Sequence, residues 1–220
     1  MTMVVGLDLG QSQDFSALGV VELVKVLPAG WSAERDARDQ ERFYGTGDGG
    51  VLELRVRHLQ RWQLGTPYDV IVDEVSVLMR TPELVDSWLV FDATGVGRAV
   101  KDMLWQAFSD GRMGALPPVP RTITGEGQRS QGGTITKRDL MSVLQVALQQ
   151  GRLKIAQDLP LREVLEQELR SFRLKISAAG RDTYEFQRRE GAGHGDLTIA
   201  VALAASQGGW VLPRVEVLAP

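Results

Sequence analysis

Three carboxylates stand where a sequence of this pattern would normally place something else. Asp8 ends the apolar run in MVVGLDLGQS, Asp92 ends the short run WLVFD, and Asp196 opens the small-residue stretch DLTIAVALA. A carboxylate set among Val4, Val5, Leu7 and Leu9 loses hydration, which costs several kcal/mol unless something compensates it. The run offers no basic residue. A divalent cation would supply the missing charge, and hard cations such as Mg²⁺ take oxygen ligands from one or two carboxylates together with water and phosphate. Two such ions about 3.5–4 Å apart can clamp the attacking and leaving oxygens of a phosphodiester. Each acid also has a plainer reading. Asp8 could begin a turn, Asp92 could cap the following helix, and Asp196 could be a first-turn acid favoured by the helix dipole. Together the three fit one site better than three separate accidents.

Composition narrows the remaining chemistry. The chain has 220 residues, no cysteine and a net charge of -3. Disulfides, Cys-type zinc sites and thiol catalysis are therefore excluded. The charge does not suggest a protein that holds nucleic acid by overall positive potential, so any such contact must come from local basic patches or with help from a partner. Lys137 and Arg138, at the head of a helix behind the glycine-rich stretch GEGQRSQGG, form one such patch. The bland alternative is a solvated helix end. His194 and Asp14 are accessory candidates beside the main acids. Asp73 and Glu74 are reserve acids whose helix assigns them to solvent. The Gly pair of FDATGVGR suits close approach of an anion to a helix start, although a tight strand-to-helix turn needs glycine anyway.

Positioning these residues requires a mixed sheet. Met3–Leu9, Ala17–Val26 and Val51–Trp62 read as strands. In the third, Leu52, Leu54 and Val56 alternate with Glu53, Arg55 and Arg57. Thr66 reads as an N-cap with Pro67 as the first helical residue, followed by Val70, Ile71, Val75, Leu78 and Met79 at helical spacing. Further strands are expected at Trp88–Phe91 and Val119–Thr124. Helices are expected at Val96–Phe108, Lys137–Gln150 (capped by Thr136), Leu161–Phe172 and Asp196–Ala205. Leu174–Ser177 and Thr183–Arg188 read as a hairpin. Leu27–Gln40, Gly45–Gly50 and Gly125–Gly133 read as loops and turns, and the tail from Gly208 shows no clear partner. The expected architecture is α/β: a five-stranded mixed sheet, three strands antiparallel and then parallel strands, with helices on both faces. The strands ending in Asp8 and Asp92 would then be parallel neighbours, and their acids would converge at the carboxyl edge where open sheets bind ligands. The chain is read as one domain over residues 1–220. No apolar run reaches the length of a membrane span, and the N-terminus lacks the basic start of a signal peptide.

GLDLGQSQDFSALGVV, WLVFDATGVGRAVKDML, TKRDLMSVLQVALQQGRLKI and HGDLTIAVALA together resemble, in order, the nuclease domain of phage terminase large subunits. That resemblance implies a ribonuclease H-like fold and a metal-dependent endonuclease that cuts concatemeric viral DNA during genome packaging. It implies two Mg²⁺ or Mn²⁺ ions held by Asp8, Asp92 and Asp196. It also places double-stranded DNA against the segment Arg121–Arg138, which includes Arg129, and against the hairpin ending at Arg188. The implied partners are a packaging ATPase, a portal and a small terminase, in the cytoplasm of a bacterial host. Many relatives carry two adjacent acids after the histidine, whereas Gly195 occupies the first of those places here. No phosphate loop of the motor type, G-x-x-x-x-G-K-[ST], is present. GLDLGQS also resembles the phosphate loop of sugar kinases and actin-like ATPases, but these need two such domains. A Holliday-junction resolvase of the same fold, and a degenerate domain that only binds DNA or a partner, are the remaining alternatives.

Overall fold

The computed structural model describes residues 2–10, 13–27, 50–125, 133–176, 182–186, 195–209 and 214–217. β1 (Met3–Asp8) is buried along its whole length. Cover on both faces explains why its sequence is an unbroken apolar run and not an alternation. It pairs antiparallel with β2 (Ala17–Leu27) and parallel with β4 (Trp88–Asp92). β3 (Val51–Arg61) continues the antiparallel side and β5 (Val119–Thr124) the parallel side. These are the five expected strands.

The sheet is larger than five, however. β6 (Thr134–Thr136) joins β5, and β7 (Leu153–Ile155) joins β3, giving the order β6-β5-β4-β1-β2-β3-β7. The tail does have a partner: β10 (Arg214–Val217) pairs parallel with Val24–Leu27 of β2. β2 outruns β1, and β10 takes up the overhang. Strands of three or four residues carry too little periodicity to be read from sequence. β8 (Phe172–Ile176) and β9 (Asp182–Phe186) form the expected hairpin as a separate two-stranded sheet.

Helices cover both faces. α1 (Tyr68–Met79) and α2 (Gly97–Ser109) enclose a core with Met3, Val5, Leu7, Val20, Leu89 and Phe91. α3 (Lys137–Gln149), α4 (Arg162–Ser171) and α5 (Asp196–Ala205) enclose the other, with Val4, Val21, Leu23, Leu54 and Val90. In β3 the alternation changes phase at a bulge. Val20 faces His58 but Val21 faces Val56, so Arg57 is the extra residue and Leu59 stays on the same core face as Leu54 and Val56.

Two local expectations are corrected. Thr66 does not cap α1: Pro67 is the N-cap residue, in extended geometry, and the Thr66 hydroxyl donates to the Gln63 carbonyl at 2.8 Å. Val70 is exposed, because the buried stripe of α1 is Ile71, Val72, Val75, Ser76 and Met79. Thr136 does cap α3, accepting from the Asp139 N–H at 3.0 Å. The expected loops at 28–40 and 126–132, and most of the turn at 45–50, lie outside the described residues.

Candidate metal centre

α5 decides where the third acid stands. Almost every residue of this helix is buried, and it lies across β1 and β2. Gly6 makes the close approach possible: a Cβ there would sit 1.9 Å from the Ala200 carbonyl oxygen. The helix starts at Gly195, whose φ of 89° is in the left-handed region that glycine tolerates. Asp196, in the first turn, is 3% exposed.

Asp8 and Asp92 lie one residue beyond the Leu7–Phe91 pair of the parallel strands β1 and β4. Their backbones are therefore about one strand spacing apart, roughly 5 Å. The register extends this row across the sheet: Asp8 is paired with Ala17, Ala17 with Arg61, and Asp92 with Arg121. Two acids thus occupy the centre of a row with an arginine toward each end. Arg61 stacks over Phe15, its guanidinium carbon 4.3 Å from the ring centre, and its Nη1 is buried with no hydrogen-bond partner.

The acids act on one another through their charges. Burial pushes the Asp8 carboxyl well above the usual range, and the charges of Asp92, Asp196 and Glu168 push the same way, while Lys137 opposes them. Asp92 is also raised by burial, against hydrogen bonds from Thr94 and Ile123; the Thr94 N–H donates to Asp92 Oδ1 at 2.8 Å. Lys137 is half-buried at the head of α3. Arg138 is exposed beside it. Asp14 lies in the β1–β2 turn, its carbonyl packed against Gly10. Asp73 is on the surface and pairs with Arg112, and exposed Glu74 accepts from Trp62 Nε1. His194, Arg129 and Arg188 lie outside the described residues.

One acid of the site was missed. Glu168 on α4 is 3% exposed and accepts from both the N–H and the hydroxyl of Thr198, at 2.9 and 3.1 Å. Burial pushes it up to about 7, with a further push from Asp196; the two Thr198 bonds and the Arg61 charge oppose the shift. Its Oε1 is buried without a hydrogen-bond partner. The available signal was Leu165 three residues earlier: at helical spacing Glu168 falls on the buried face of α4 with it.

Among the described residues, no three His, Asp or Glu side chains stand as a ready-made metal shell. The donor set still fits a hard divalent cation in kind. It consists only of carboxylate oxygens: Asp8, Asp196 and Glu168 are buried and Asp92 is half-buried, like charges lie close to one another, and Glu168 Oε1 has no hydrogen-bond partner. A cation relieves each of these penalties.

No family model matches the sequence, and no curated protein matches it. Solved structures do match. The large terminase nuclease from thermophilic phage G20c, with bound magnesium, is 20% identical; the match covers 94% of this chain and 81% of that one at a TM-score of 0.60. The large terminase nuclease domain of Thermus phage P74-26 is 19% identical over 94% of this chain and 79% of that one, at 0.56. The nuclease domain of the bacteriophage SPP1 large terminase, with bound manganese, is 11% identical over 94% and 86%, at 0.50. The chain has the ribonuclease H-like fold of large terminase nuclease domains.

Proposed function

We propose that this chain is a metal-dependent DNA endonuclease of the terminase type, formed as one nuclease domain over residues 1–220. The observation that carries this reading is the pair Asp8 and Asp92 at the carboxyl ends of adjacent parallel strands, coupled by charge to Asp196. Likeness in fold to nuclease domains solved with magnesium or manganese supports it. Asp8, Asp92 and Asp196 would hold two Mg²⁺ or Mn²⁺ ions. Bound metal supplies a nucleophilic water at neutral pH and stabilises the departing 3′ oxygen. The chain's own residues do the rest. The three carboxylates must be ionised to work, and Lys137 favours that state at Asp8. Arg61 and Arg121 flank the acids in the same sheet row and are suited to backbone phosphates on either side of the cut. Lys137 and Arg138 extend the contact along the head of α3. Contacts of this kind read phosphate and not bases, so cutting is largely independent of sequence.

By the same analogy the natural setting is viral genome packaging in a bacterial cytoplasm, with a packaging ATPase, portal and small terminase as partners. No helix among the described residues is long and apolar enough to cross a membrane. The test is incubation with supercoiled plasmid and with a four-way junction, in Mn²⁺, Mg²⁺ or EDTA. Metal-dependent cutting of plain duplex supports the terminase-type reading. Cutting of the junction alone transfers it to a resolvase, and no cutting with no metal binding leaves only a binding domain.

A further inference from the structure

We propose that Glu168 is a fourth carboxylate of the metal centre, with Oε2 fixing the first turn of α5 and Oε1 facing the cation held by Asp8 and Asp196. This rests on the nuclease reading and adds a residue to it from a separate helix. Two observations on Glu168 carry it. Oε2 accepts the Thr198 N–H, one of the donors that a helix start leaves open, and Gly195 has no side chain with which to cap the helix itself. Oε1 is left buried with no hydrogen-bond partner, in a side chain within charge range of both Asp8 and Asp196. A cap needs only one carboxylate oxygen. Burying the second without a partner is costly, and a cation offsets that cost. Glu168 thereby supplies a carboxylate in a site where Gly195 supplies none.

The test is calorimetric titration of the whole chain with Mn²⁺, with melting temperature in EDTA measured alongside. Glu168→Gln keeps an oxygen to accept from Thr198 but removes the charge. Thr198→Val weakens the cap and leaves the charge. The expected result is that Glu168→Gln folds normally and binds Mn²⁺ about tenfold or more weakly, while Thr198→Val changes Mn²⁺ affinity by less than about threefold. Wild-type Mn²⁺ affinity in Glu168→Gln overturns the proposal, as does an equal loss in Thr198→Val, which would make Glu168 a cap alone. If the wild-type chain binds no Mn²⁺, the nuclease reading fails and this inference fails with it. If wild type binds and Asp8→Asn does not, the reading stands and the Glu168 result decides the inference separately.

Discussion

Removing the charge of Glu168 stabilises the metal-free protein, by an amount that depends on pH. Glu168 ionises near 7 in the fold against an ordinary value of 4.5. Between those two values the folded chain keeps a proton that the unfolded chain releases. Stability therefore falls as pH rises through this window and levels off above about 7. At about 1.4 kcal/mol per pH unit, the interval from 4.5 to about 7 corresponds to roughly 3 kcal/mol. Asp8 and Asp92 are shifted in the same direction and add to the trend. Glu168→Gln deletes the Glu168 share while keeping an acceptor for Thr198. In EDTA the variant and wild type should melt together near pH 4.5. At pH 8 the variant should melt higher by roughly 6–12 °C, since 1 kcal/mol moves a chain of this size by about 2–4 °C. Scanning fluorimetry at the two pH values reads this directly. A constant difference between variant and wild type across pH, or a variant that melts lower at pH 8, would refute the claim that burial and neighbouring acids destabilise this charge.

Other expectations concern the scaffold and the cation beside the acids. Lys137→Ala removes a positive charge that favours ionised Asp8, so the acidic limb of the cleavage pH profile should move to higher pH; an unmoved limb counts against that role. Gly6→Ala places a methyl against the Ala200 carbonyl and should cost about 2 kcal/mol or more, visible as a lower melting temperature. Thr136→Ala removes the N-cap of α3 and should cost about 1 kcal/mol, or roughly 2–4 °C.

The parts of the site legible in the sequence were those fixed by local pattern and chain order. Asp8 and Asp92 end short apolar runs, and the order of strands and helices makes those strands parallel neighbours, as observed. Asp196 opens a helix whose run of small residues marks it over Asp196–Ala205, the range observed. Glu168 was not legible as a site residue, since its importance arises from α4 packing on α5, a contact between residues thirty positions apart. The arginine row was hidden for a similar reason: Arg61 reaches it only because the bulge at Arg57 changes the phase of β3. Strands β6, β7 and β10 depend on open edges elsewhere in the sheet, which three or four residues of sequence do not encode. Thr66 does not serve as the cap because Pro67 itself adopts the extended geometry of the cap residue.

The central claim is that Asp8 and Asp92 jointly hold the metal that cuts DNA. Its most direct test is cleavage of supercoiled plasmid in Mn²⁺ by wild type, Asp8→Asn and Asp92→Asn, each shown by circular dichroism to be folded. Wild type should cut and EDTA should abolish the cutting, with a loss of at least about a hundredfold in either variant. Cutting that persists in EDTA, or folded variants that cut like wild type, would contradict it.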